Sequence, residues 1–159
     1  MCGFSRGPTT AALAAKAAAK YCDVVSYNLY RYPDQIAAFK FPGGDDVPLV
    51  IGEFHFGALD RGMFHTGLRK ARNQRHRAEL YEAYVRGALR NPLIVGTHWF
   101  RYPDQATTGR GDGENYQIGF VDVCHQPYLP ARRPNPNRRK FCPKCRAEGI
   151  PKRIASREA

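Results

Sequence analysis

The chain has 159 residues, 43% of them apolar, and a net charge of +11. That length supports one domain with a core but falls short of a complete (β/α)₈ barrel, which takes about 250 residues. No apolar run approaches the roughly 18 residues of a membrane span, and no charged flank leads into an apolar stretch as in a signal peptide.

In chain order, residues 1–8 contain Gly and Pro and read as irregular. TTAALAAKAAAK, 9–20, is almost wholly helix-forming behind a Thr that can cap, and predicts a helix. CDVVSYNLY, 22–30, is β-branched, aromatic and mostly apolar, as in a buried parallel strand. FPGGDDVP, 41–48, is turn chemistry. PLVIGEFHFG, 48–57, is a second buried strand whose apolar run ends at Gly52 and Glu53. Residues 57–72 read as a long loop. Asn73 can cap a helix running to about Leu89, with Leu80, Tyr81, Tyr84, Val85 and Ala88 on one side. Glu82 and Arg86 make an i, i+4 pair on the exposed side, and Asn91-Pro92 stops the helix. NPLIVGTHWF, 91–100, is the third strand, TTGRGDGEN, 107–115, a second polar loop, and YQIGFVDVC, 116–124, a short strand or extended segment. RYPDQ occurs at 31–35 and again at 101–105, each time after a strand, but five shared residues on an unlike background do not make a repeat.

After Pro127 the composition changes, and ARRPNPNRRK has no periodicity, so this stretch reads as disordered or irregular. Residues 131–159 hold ten Lys or Arg against two Glu, a net +8, which leaves +3 on residues 1–130. The positive charge therefore belongs mostly to a solvated tail and argues only weakly for a nucleic-acid partner. The five cysteines, Cys2, Cys22, Cys124, Cys142 and Cys145, are odd in number and irregular in spacing, so no disulfide framework is implied. Cys142-Pro-Lys-Cys145 is half of a zinc ribbon; Cys124 and His125 offer two more ligands, but no second CxxC follows. Neither a metal nor a cofactor is expected.

Helices alternating with all-apolar strands indicate an α/β chain with parallel strands. The three strands share a polarity: plain apolar amino ends, and carboxyl ends bearing Asn28, Tyr30 and Arg31, then Glu53 and His55, then His98 and Trp99. Parallel α/β folds carry their sites at the carboxyl ends of strands, although polar groups also collect there because strands end at the surface. Glu53 follows an apolar run and precedes Phe54, His55 and Phe56, and a carboxylate among aromatic rings suits attack on an anomeric carbon. Tyr27 or Tyr30 can donate a hydrogen bond to it, and Trp99 can stack on a sugar ring. The competing view is that Glu53 pairs with Arg31 or Arg61 and merely fixes a loop. His55, Asp60, Arg61 and His65 form one polar cluster, and Asp104, Gln105, Asp112, Glu114 and Asn115 another. Such clusters suit sugar hydroxyls and also ordinary solvated loops.

GEFHFGALDRGMFHTGL, 52–68, followed by NPLIVGTHWFRYPDQATTGRGDGENYQIGFVDV, 91–123, resembles the end of the catalytic barrel of the β-agarases of glycoside hydrolase family 50. The wider kinship is with the clan-A hydrolases, which include β-galactosidases. The resemblance covers about residues 17–127. It implies a partial (β/α)₈ TIM barrel of about the last three βα units, with residues 1–16 as an irregular or helical lead-in and 128–159 as a basic Pro-rich tail. It also implies retaining cleavage of agarose without a metal. Glu53 takes the place of the nucleophile at the seventh strand and Trp99 lines the sugar site at the eighth. The substrate-binding set is then Tyr27, Tyr30, His55, Asp60, Arg61, His65, His98, Trp99, Asp104 and Gln105, and the partner is a galactan or agaro-oligosaccharide.

Two departures accompany the resemblance. The clan's acid/base Glu follows an Asn, and no Asn-Glu pair occurs here; few residues precede the first strand, so strands one to five are expected to be absent. At the other end the family would continue into a last barrel helix, where this chain has CPKC and basic residues. A truncated or mis-bounded gene product is the expectation, inactive alone and able to self-associate through open sheet edges. The parent enzyme would be secreted or periplasmic, and no membrane association is expected. Two other classes compete: a non-catalytic carbohydrate-binding remnant, and a basic nucleic-acid-binding module built on the tail.

Overall fold

The computed structural model describes residues 8–44 and 47–128, and side chains from residue 12 onward. Residues 1–7 of the lead-in, the Cys142/Cys145 pair and nearly all of the basic tail lie outside the described residues, while 8–16 belong to the first helix. Helix α1, Pro8–Tyr21, is followed by strand β1, Val25–Tyr27, a short 3-10 helix, Pro33–Gln35, strand β2, Leu49–Phe54, helix α2, Gln74–Arg90, and strand β3, Ile94–Trp99. The strands form one parallel three-stranded sheet in the order β1-β2-β3. This is the α/β arrangement read from the sequence.

β1 is shorter than the 22–30 run. Val25, Ser26 and Tyr27 pair with Leu49, Val50 and Ile51, and beyond them a further tie runs from Leu29 N to the Glu53 carbonyl at 2.9 Å. The side chains of β1 and the residue after it fill the space over Gly52, where a Cβ would lie 2.3 Å from Ser26 Oγ and 2.8 Å from Asn28 Oδ1. Any larger residue at 52 would have to displace the Ser26 and Asn28 side chains that lie over it.

α2 starts as its cap predicts: Asn73 Oδ1 accepts from His76 N at 2.9 Å. At its other end Asn91 is buried and donates through Nδ2 to the carbonyls of Ile36, at 3.2 Å, and Phe39, at 2.9 Å. That side chain pins the end of α2 to the segment after β1. The Glu82–Arg86 pair forms at 2.9 Å on the solvent side. Of the five residues placed on the apolar face, Tyr84 and Ala88 are buried, Leu80 and Val85 pack partly buried at the rim, and Tyr81 is exposed.

Two apolar clusters hold the sheet. Leu29, Ile36, Ile51, Phe54, Phe56, Ala58, Ala71, Tyr84 and Ala88 lie between β2 and α2, with Phe54 and Tyr84 stacked at 4.0 Å and 4°. Ala15, Ala18, Val25, Phe41, Val47 and Leu49 lie beneath α1. Each large side chain so buried contributes about 1.5–3 kcal/mol, so Tyr84, fully buried and donating its hydroxyl to the Leu29 carbonyl at 2.6 Å, is a main tie between helix and sheet. Residues 116–124 form no strand; they make single bridges, His65–Tyr116, Pro103–Val121 and Val121–Pro127, and turn at 123–124. The two RYPDQ segments adopt unlike structures. Asp34 and Gln35 lie exposed in the 3-10 helix, whereas Asp104 and Gln105 are buried.

Candidate active site

Glu53 sits near the carboxyl end of the middle strand, half-buried. Tyr30 donates its hydroxyl to Glu53 Oε2 at 2.8 Å. Tyr27 does not share this role, because it lies within β1 and packs against Phe39, at 5.8 Å, and Phe41, at 5.7 Å. Burial, and then the bond to Glu53, hold the Tyr30 hydroxyl well above the ordinary phenol range; the charges of Glu53 and Glu114 act in the same direction. Tyr30 therefore stays a proton donor at any ordinary pH.

His55, two residues beyond Glu53, is buried and forms the floor beside Tyr30, with ring centroids 4.8 Å apart. Its Nε2 accepts from Leu68 N at 2.8 Å, which fixes the loop after β2 over the site. Burial pushes His55 down to about 4, only partly opposed by the Phe100 backbone, so the ring is neutral. Its Nδ1 is buried without a hydrogen bond of regular geometry.

The loop after β3 forms the facing wall. Gly109 and Gly113 take positive φ values of 87° and 86°, open to glycine, and let the loop close on itself through Arg110 N to the Glu114 carbonyl, 2.9 Å, and Gly113 N to the Arg110 carbonyl, 2.8 Å. Arg110 bonds Asp112, approaches Glu114 Oε2 at 3.2 Å, and lies over the Phe100 ring at 5.7 Å. The bond to Arg110 holds the Asp112 carboxyl down at about 2. Gln105, fully buried, donates to Glu114 Oε2 at 2.7 Å and accepts from Tyr116 N at 2.7 Å. The charge of Glu114 acts at Tyr30 and that of Glu53 at Arg110.

The other residues read from the sequence lie around this group rather than in it. Asp60 caps α2, accepting from Gln74 N at 3.0 Å. Arg61 is exposed, and its backbone N–H donates to Gln117 Oε1 at 3.3 Å. His65 is exposed and stacks on Tyr116 at 5.0 Å, with Nδ1 accepting from Gly67 N. His98 is exposed on β3. Asp104 is buried, accepting from Gly119 N at 2.6 Å and from the Tyr128 hydroxyl. The buried Arg77 donates to the Gly119 carbonyl, so α2 and the post-β3 segment are locked together there. Trp99 pairs in register with Phe54, packs edge-on to it at 5.2 Å and flat on Phe120 at 5.1 Å, and donates Nε1–H to the Ile118 carbonyl at 2.8 Å. It thus belongs to the side of the sheet that α2 covers.

Two residues of the wall escaped the sequence reading. Phe100 lies beside His55, with centroids 6.2 Å apart, and under Arg110. Its signal was its position next to Trp99, since consecutive strand residues face opposite ways. Arg110 gave no signal beyond its place in a polar loop. Among the described residues no group of three or more His, Cys, Asp or Glu side chains is arranged to hold a metal, and no helix is long and apolar enough to cross a membrane.

No family model matches the chain. It is 48% identical over 124 residues to β-agarase B of Vibrio sp. (strain JT0107), a match covering 73% of this chain and 12% of that protein. Its fold superposes on that of an exo-β-agarase with a TM-score of 0.65 at 52% identity, covering 72% of this chain and 16% of the other. The structure of PfGH50B is similar, with a TM-score of 0.64 at 46% identity over 73% of this chain and 17% of that one. The chain therefore spans about an eighth of the length of the curated relatives it matches, 12% in each case.

Proposed function

From the premise that this chain carries a segment of a glycoside hydrolase family 50 β-agarase, we propose that it supplies the nucleophile-bearing part of a retaining glycosidase acting on β-linked galactans such as agarose. β1, β2 and β3 are then strands six, seven and eight of a (β/α)₈ barrel, and the site lies at their carboxyl ends. The observation that carries this reading is Glu53 at the end of the middle strand, held by the Tyr30 hydroxyl at 2.8 Å.

In that role Glu53 attacks the anomeric carbon as the glycosidic bond breaks, forming a glycosyl-enzyme that water later hydrolyses. Tyr30 stays protonated and keeps the attacking carboxylate aimed. Phe100 offers the sugar a ring on the His55–Arg110 side, while Trp99 backs the strand end from the other face. A retaining mechanism also needs an acid/base carboxyl about 5–5.5 Å from the nucleophile. No Asn-Glu pair occurs in the sequence, so we assign that group to residues outside it, and the 159-residue chain alone is inactive. β1 and β3 each pair on one side only among the described residues, and Val95 on β3 is 64% exposed, which supports association through the sheet edges.

The test is a graft. Residues 17–127 replace the matching segment of β-agarase B, and turnover of agarose is measured. Activity in the graft, lost with Glu53→Gln, supports the assignment; near-normal kcat in the Glu53→Gln graft overturns it.

A further inference from the structure

Gln105 looks from the sequence like a sugar ligand, but it is fully buried and both ends of its amide are used within the protein. The group it holds is different. Its Nε2–H is spent on Glu114 Oε2, on which Arg110 also converges at 3.2 Å. Its Oε1 is spent on Tyr116 N, and its own N–H donates to the Tyr116 carbonyl at 3.2 Å, so the amide is rigidly placed before it meets the carboxylate. The Glu114 side chain itself remains 29% exposed.

A chain of contacts joins this carboxylate to the nucleophile. Tyr116, next to Gln105, packs edge-on to His55 at 5.9 Å; His55 packs against Tyr30 at 4.8 Å; Tyr30 donates to Glu53. Arg110 roofs Phe100 while it bonds the Asp112–Glu114 turn. The buried amide is satisfied at both ends, so it holds the part-exposed Glu114 carboxylate in one position at little cost. A turn meant only to close itself is satisfied by the Arg110–Asp112 pair and the two backbone bonds already described.

The geometry points to Glu114 as a second sugar-holding carboxylate of the site, accepting hydroxyl hydrogen bonds from a galactan ring seated against Phe100, with Gln105 as its positioning residue. This rests on the glycosidase reading of Glu53 and adds to it a determinant of which hydroxyls the ring must present. Vicinal hydroxyls suit a carboxylate, which accepts two hydrogen bonds in one plane. A ring whose hydroxyls at that edge are etherified or removed forgoes those hydrogen bonds and binds more weakly.

The experiment uses the 159-residue chain labelled with nitrogen-15 and titrated with agarotetraose, following the amides of Glu53, Phe100 and Glu114. Binding should shift all three. Glu114→Gln should weaken it about tenfold or more, the scale of a charge-assisted hydrogen bond, and Glu114→Asp should recover part of the loss. Gln105→Glu keeps the side-chain volume and the acceptor for Tyr116 N but opposes Glu114 with a like charge; it should weaken binding comparably. The double exchange Gln105→Glu with Glu114→Gln restores a hydrogen bond between the two positions, so it should recover the thermal midpoint without recovering binding. Recovery of both would make the pair structural only and overturn the proposal. So would unchanged affinity in Glu114→Gln with shifts still seen at Glu53 and Phe100, an outcome that leaves the glycosidase reading standing. Absence of any shift in the unaltered chain would count against both, and the graft experiment then separates them: turnover dependent on Glu53 but indifferent to Glu114→Gln overturns the proposal alone.

Discussion

Tyr30 reaches from beyond the end of β1 to Glu53 near the end of β2 and donates its hydroxyl to Oε2 at 2.8 Å, so the two strand ends are tied by side chains as well as by the ladder. Removing that donor should cost function more than fold. In the grafted enzyme Tyr30→Phe should lower kcat about ten- to hundredfold, the equivalent of a lost hydrogen bond to a charged group. KM should change less than kcat, since the phenol acts on Glu53. An unaltered kcat would make Tyr30 a packing residue.

Agarose incubated with the purified 159-residue chain should release no reducing ends above background. Only one carboxylate of the required pair is assigned in it, and removing a member of a set that acts together loses most of the acceleration. Robust hydrolysis that Glu53→Gln abolishes would mean that Glu114 or Asp112 serves as the acid.

Phe100→Ala and Trp99→Ala should part company. Trp99 packs against Phe54, Phe56, Tyr81 and Phe120, so its truncation should destabilise the fold by about 3 kcal/mol, read from urea unfolding. Phe100 should instead lower sugar affinity by about 1–3 kcal/mol, the range of aromatic stacking platforms, with a smaller loss of stability. Reversed effects would return the sugar face to Trp99.

The buried knot behind the site should matter to stability alone. Asp104→Ala leaves Gly119 N, the Tyr128 hydroxyl and the buried Arg77 guanidinium without their acidic partner. Breaking such an arrangement costs about 3–5 kcal/mol. Tyr128→Phe, which removes one partner and keeps the carboxylate, should cost about 1 kcal/mol. Equal losses in the two variants would show that the knot holds by packing rather than by the Asp104 charge.

Acid should weaken the fold through His55. Its folded value, about 4, lies below the ordinary 6.5, so the unfolded chain takes up the proton first. The stabilisation is complete above about 6.5 and is lost as pH falls from there to about 4, amounting at most to about 3 kcal/mol. His55→Gln, which can still accept from Leu68 N, should flatten the fall of the urea midpoint over that window. An equally steep fall in the variant would place the acid sensitivity elsewhere.

Local chemistry in the sequence was enough to determine the elements and their polarity. Ala-rich 9–20 is built from helix formers, Asn73 caps its own helix, and three apolar runs alternating with helices indicate parallel strands, which the sheet bears out. Glu53 was legible for the same reason: a carboxylate directly after an apolar run and a glycine stands out against its neighbours. The assignment of partners was not legible, because it depends on register and on which face each residue takes. Tyr27 and Tyr30 are equivalent in a list of strand residues; the short pairing of β1 buries one among Phe39 and Phe41 and delivers the other to Glu53. Register irregularities between β2 and β3 set Phe54 opposite Trp99, which turns the indole toward α2 and leaves Phe100 to the site. The identical RYPDQ segments make the point most plainly: the same five residues are exposed in one place and carry a buried aspartate and glutamine in the other. Burial is a property of the surrounding chain, and only the tertiary structure supplies Gly119 and Tyr128 to one of them and Glu114 and Tyr116 to the other.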